Sequence, residues 1–128
     1  MLERDAQAAI IAWRDVAARD AHPRAAALAW LFHPPNGEAR AKATAGRLRG
    51  LGVVRGIPAL LLPARSADGA AVGWACELKR PGGRVAPEQR AALAFLEAEG
   101  WRAIVAHDWT AAARDVCRHL GLPERLAP

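Results

Sequence analysis

Apolar residues recur at three- and four-residue spacing through the first twenty positions. Leu2, Ala6, Ile10, Trp13 and Val16–Ala17 form one stripe, with Arg4, Arg14, Asp15 and Arg19 elsewhere on the wheel, and this predicts an amphipathic helix over 2–20. A His-Pro-containing connection covers 21–27. Ala29–His33 is a short apolar run stopped by Pro34-Pro35-Asn36-Gly37, hence a strand candidate. Glu38–Gly50 reads as a second helix, ending near Gly50 or Gly52. Ile57–Leu62 is nearly continuous in apolar residues and suits a buried strand. Val72–Lys79 alternates instead, with Val72, Trp74, Cys76 and Leu78 on one face and Gly73, Ala75, Glu77 and Lys79 on the other. The two runs form a hairpin-like pair across the loop Pro63–Ala71. Pro87 opens a helix through Glu99 that Gly100 ends, Trp101–Ala106 is a fourth strand, and Asp108 or Thr110 caps a last helix ending near Gly121. Trp13, Trp30, Trp74 and Trp101 sit at apolar-periodic positions and are expected in the core. The order α-β-α-β-β-α-β-α mixes one hairpin with helical crossovers and predicts an α/β fold, a mixed β-sheet flanked by helices. No repeat, linker or low-complexity tract splits residues 1–128, so one domain is expected.

Composition narrows the class. Apolar types make up 52% of 128 residues, but 32 of them are Ala, so the core is lean. Charged residues at 24% argue against wholesale disorder. No apolar run approaches the roughly 18 residues that cross a bilayer, and the first residues lack a signal-peptide pattern. Cys76 and Cys117 lack the spacing of a zinc site or disulfide framework, so a reduced, cytoplasmic protein is expected. The net charge of +5 favours a polyanionic partner. Between Glu38 and Arg55 lie Arg40, Lys42, Arg47, Arg49 and Arg55 against the single acid Glu38, a surplus of +4 in one segment. A solvated basic helix face accounts for it equally well.

Two positions carry chemistry. Glu77 and Lys79, two apart on a strand, project from one face beside the small Gly73 and Ala75. A carboxylate can hold a hard divalent cation, and an ammonium can orient water or stabilise phosphorane charge. Glu-x-Lys alone is a weak signal, common as a surface ion pair. A metal site needs a second carboxylate, and antiparallel pairing of Ile57–Leu62 with Leu78–Val72 puts position 59 opposite or nearly opposite Glu77. That position holds Ala59. Gln89 shares a helix stripe with Leu93 and Leu96 and so points inward at the helix start, while Glu3 and Gln7 flank the stripe of the first helix. His33 and His107 lie at strand ends, where a core-edge role is commoner than a ligand's.

Taken in order, five pieces resemble the VRR-NUC domain, a compact branch of the PD-(D/E)xK nuclease superfamily. They are Glu3-x-x-x-Gln7, Pro35-Asn36-Gly37-Glu38-x-Arg40, Gly52-Val53-x-x-Gly56-Ile57-Pro58-Ala59-Leu60-Leu61-Leu62, Glu77-Leu78-Lys79-Arg80, and Gly83-Arg84-x-x-Pro87-Glu88-Gln89, spread from Glu3 to about Asp108. The resemblance implies a restriction-endonuclease-like core and Mg²⁺- or Mn²⁺-dependent cleavage of DNA phosphodiesters. It also implies a homodimer with four-way junctions among its substrates, as in small stand-alone members of phage and bacterial type. On it, Glu77 and the Leu78 carbonyl would bind metal, Lys79 would serve the attacking water, and Gln89 and Glu3 would complete the site. Arg40, Lys42, Arg47, Arg49, Arg55, Arg80 and Arg84 are expected phosphate contacts from their charge and placement. The chain departs at one point: the family reads Gly-[Ile/Val]-Pro-Asp-Leu where this sequence has Gly56-Ile57-Pro58-Ala59-Leu60. The missing Asp is a principal metal ligand, so cleavage should be severely impaired. Either a deliberate Asp→Ala change or a natural pseudo-nuclease accounts for it, and the intact Glu77, Lys79 and Gln89 favour the first.

Overall fold

The computed structural model describes residues 1–35 and 42–128, with no account of the side chains of 42–45. Helix α1 (Glu3–Ala17) carries Glu3 and Asp5 in its first turn and Arg14 in its last, matching its dipole, and buries Ala6, Ile10 and Ala17. A 3-10 helix, Ala25–Trp30, follows. Helix α2 (Lys42–Gly50), strand β1 (Leu60–Leu62), strand β2 (Trp74–Leu78), helix α3 (Pro87–Ala98), strand β3 (Arg102–Ala106) and helix α4 (Trp109–Leu120) complete the order, before a short 3-10 turn at Glu124–Leu126. The sheet runs β1-β2-β3, with β1 antiparallel and β3 parallel to β2. A mixed sheet flanked by helices is therefore what the chain builds. Among the described residues, no helix is long and apolar enough to cross a membrane.

The strand expected at Ala29–His33 is reduced to one residue. Phe32 bridges Leu61 antiparallel through both backbone bonds, 3.0 and 2.9 Å. The ladder cannot grow either way. The next hydrogen-bonded pairs would be 30 with 63 and 34 with 59, and Pro63 and Pro34 have no N–H to give; the Leu31 carbonyl, turned away from β1, accepts from Arg14 Nη1 at 2.6 Å. Trp30 also departs from its expected core position. It ends the 3-10 helix, and the turn to extended backbone at Leu31 sends Leu31 inward and leaves Trp30 72% exposed. Trp74 is fully buried, as expected.

Helix α4 lies on the Trp74 and Arg102 face of the sheet, because its Asp115 takes hydrogen bonds from both. Asp108 caps its start, accepting from the Ala111 N–H at 2.7 Å, and Gly121 in left-handed conformation ends it. A C-terminal strap closes the fold over α1: Trp13 Nε1 donates to the Leu126 carbonyl at 2.8 Å, and Arg125 grips Asp20. That pairing holds the Asp20 carboxyl down at about 2.

His119, on α4, couples the core to pH. Its Nε2–H donates to the Ala64 carbonyl at 2.7 Å, and its buried Nδ1 has no hydrogen-bond partner among the described residues. Burial pushes its pKa below the ordinary value of 6.5, and the Ala64 bond only partly opposes this. The unfolded chain therefore takes up the proton first. The stability that His119 contributes is complete above about pH 6.5 and is lost as pH falls toward the lower folded value. Thermal melts at pH 7.5 and 5.5 should give a lower midpoint at the acid end, and His119→Gln should shrink that difference.

Candidate active site

Strand β2 delivers Glu77 to the sheet at 3% exposure, one residue before its C-terminal end. The β1–β2 register pairs Leu60 with Cys76, Leu61 with Ala75 and Leu62 with Trp74. The strand expected over Ile57–Leu62 forms only at Leu60–Leu62, and Ala59 lies in the bend just before it; continuing the register by one step would set Ala59 opposite Glu77. Directly paired residues share a face with Cβ atoms about 4.5–5.5 Å apart, so a side chain at 59 in that register would neighbour Glu77. Ala59 is itself buried.

Lys79 continues the chain beyond β2, its N–H bonded to the Ala106 carbonyl at 2.9 Å. Its side chain is only 10% exposed, and Nζ lies 3.9 Å from Oε1 of Glu3, the first residue of α1. The structure thus brings Glu3 to Lys79, two residues from Glu77. Gln89 points inward, as its stripe predicted, and is buried at N3 of α3. Its Oε1 accepts from the Ala86 N–H at 2.8 Å, so it also caps the helix that Pro87 opens.

The loop before Ala59 is docked on that same helix start. Gly56 has φ of +89°, and a Cβ there would come within 2.6 Å of the Glu88 carbonyl oxygen, so only glycine fits. Arg55 adds an ion pair to Glu88 at 3.3 Å. Sequence reasoning placed Arg55 among the phosphate contacts and missed this packing role; its neighbour Gly56 carried the signal. Also missed was His33, whose Nδ1 lies 2.6 Å from the Ala59 carbonyl oxygen.

Arg47 and Arg49 on α2 are exposed, as are Arg80 and Arg84 beside the end of β2. Arg40 lies outside the described residues, as does the side chain of Lys42. Leu78, with Glu77, closes the strand.

The donor set is thin for a divalent cation. Hard cations want several oxygens, commonly from more than one carboxylate, and this end of β2 offers buried Glu77 and the strand-end carbonyl of Leu78 against a methyl at 59. Among the described residues no group of three or more His, Cys, Asp or Glu could hold a metal ion. The residues present do not fit the metal that the resemblance implies.

No protein-family model and no curated protein matches the sequence. A solved structure described as a VRR_NUC domain protein is similar over 95% of this chain and 90% of its own, with a TM-score of 0.75 and 20% sequence identity. The fold is that of a VRR-NUC domain.

Proposed function

From this fold we propose that the chain is a DNA-binding domain built as a metal-dependent, structure-selective endonuclease and disabled for cleavage at residue 59. The observation that carries the proposal is the β1–β2 register, which ends at Leu60↔Cys76 and leads by one step to Ala59 against buried Glu77, with Glu3 beside Lys79. The other residues suit phosphodiester hydrolysis. Glu77 supplies a desolvated carboxylate, Lys79 a sheltered ammonium that can meet charge developing on phosphorus, and Gln89 a buried amide at the start of α3. With a second carboxylate at 59, bound Mg²⁺ or Mn²⁺ would supply Lewis acidity and a more acidic water. The substrate we propose is branched DNA, four-way junctions included. Cutting both strands of a symmetric junction calls for two sites related by a twofold axis, hence a homodimer.

The deciding experiment follows a labelled four-way junction and a linear duplex with the present chain and with Ala59→Asp, in Mg²⁺ and in Mn²⁺. Junction cutting by the Asp form alone supports the proposal. If both forms bind and neither cuts, the chain is a DNA-binding module on a nuclease fold and the catalytic roles fall.

Binding has its own signature. If Arg47 and Arg49 contact phosphates, affinity should fall steeply with salt, and removing each should flatten the slope of log K against log salt by about 0.9. Arg47→Ala and Arg49→Ala with unchanged slopes would place the DNA elsewhere.

A further inference from the structure

The bond between His33 and residue 59 replaces one that the backbone cannot make. Phe32 and Leu61 exchange both backbone hydrogen bonds, so they are a hydrogen-bonded pair of an antiparallel ladder. In such a ladder these pairs recur at every second residue, and the next would join residue 34 to residue 59. Residue 34 is proline and has no N–H. The Ala59 carbonyl, in a buried residue at the edge of β1, would lose its donor. The imidazole of His33 fills the place, with Nδ1 at 2.6 Å from that oxygen. A carbonyl only accepts, so Nδ1 carries the proton.

We infer that His33 is a positioning residue: its Nδ1–H pins the backbone of residue 59 so that the side chain there faces Glu77. The peptide is then held from three directions, by His33 on its carbonyl, by the β1–β2 ladder after it, and by Gly56 seated against Glu88 before it. What residue 59 does rests on the reading above; the bond stands on its own geometry.

The tautomer gives a readout apart from any activity. His22 Nδ1 accepts from the Arg24 N–H, while His107 and His119 turn Nε2 toward the carbonyls of Gly83 and Ala64. All three carry the neutral proton on Nε2, and His33 alone of the four carries it on Nδ1. In ¹⁵N-histidine-labelled protein at pH 8, one imidazole should show the Nδ1–H pattern, and it should vanish in His33→Ala. Four Nε2–H patterns would overturn the inference, whatever becomes of the nuclease reading.

Kinetics test the consequence. In the Ala59→Asp protein, His33→Ala should lower the cutting rate about tenfold, as when a group orienting a ligand is removed, with junction affinity held within about twofold. His33→Asn, whose Nδ2–H can reach the same carbonyl, should stay within about threefold of its parent. Undiminished cutting in His33→Ala overturns the positioning role. So does an equal loss in both variants, which would locate the function at Nε2. Should Ala59→Asp not cut at all, the tautomer decides alone.

Discussion

Ala59→Asp is expected to raise junction cleavage in Mn²⁺ at least about a hundredfold over the present chain, roughly 2.7 kcal/mol of barrier. Adding Glu77→Gln should remove the gain. The expectation comes from the register: continued one residue past Leu60, it would bring a carboxylate at 59 across from Glu77, at the spacing that lets two carboxylates share one cation. The same substitution carries a cost when no metal is present. It introduces a second negative charge beside Glu77 in a buried place, so the metal-free variant should melt lower than its parent. Mn²⁺ should then raise its midpoint, by about 2.7 kcal/mol of stability at a hundredfold excess over Kd, and leave the present chain's midpoint where it was. A melting rise in Mn²⁺ without cutting would mean that the two carboxylates hold metal but no reactive phosphate reaches them. No rise and no cutting would sink the two-carboxylate site altogether.

Much of this was written in local pattern. The antiparallel pairing of β1 with β2 followed from strand alternation and one hairpin, because a buried face penalises a slip by one residue. Pro87, Gly100 and Gly121 marked helix ends through their own backbone restrictions, and Gln89 betrayed its burial by sharing a stripe with Leu93 and Leu96. What escaped depended on partners remote in sequence. Ala29–His33 reads as a strand, yet Pro63 across the sheet and Pro34 in the segment itself stand at the next hydrogen-bonded positions without an N–H, so one bridge is left. The apolar periodicity that placed Trp30 inside ends where the 3-10 helix gives way to extended chain. The role of His33 needed the knowledge that residue 59 lies across from a proline, which no spacing within either segment reveals. The VRR-NUC fold itself was legible, since its pieces keep their order even though position 59 holds Ala where the resemblance expects Asp.

Asp115→Ala should cost about 2–4 kcal/mol, the largest loss of stability expected from any single polar side chain here. Asp115 lies buried on α4 and ties two strands to it. Its Oδ1 accepts from Trp74 Nε1 at 2.8 Å and Arg102 Nε at 2.8 Å, and its Oδ2 from Arg102 Nη2 at 2.6 Å. Removing the carboxylate leaves a fully buried indole N–H without its acceptor and frees Arg102 from a bidentate clamp. Asp115→Asn keeps an oxygen for Trp74 and gives up the charge, so it should cost about half as much. The two losses have a shared pH fingerprint. Burial pushes the Asp115 carboxyl up, but the bonds from Arg102 and Trp74 and the charges of Arg102 and Arg118 outweigh it and hold the group below its ordinary value of 3.8. The unfolded chain therefore protonates this carboxyl first on acidification. Its contribution is whole above the unfolded value and disappears as pH falls through the folded one. Urea unfolding of parent and Asp115→Ala should show a constant gap from pH 8 down to about 5, closing only below about pH 4. The loss tied to His119 begins instead near pH 6.5, so the two groups separate in one titration. A gap already closing between pH 7 and 6 would mean that the charge on Asp115 is not what joins α4 to the sheet.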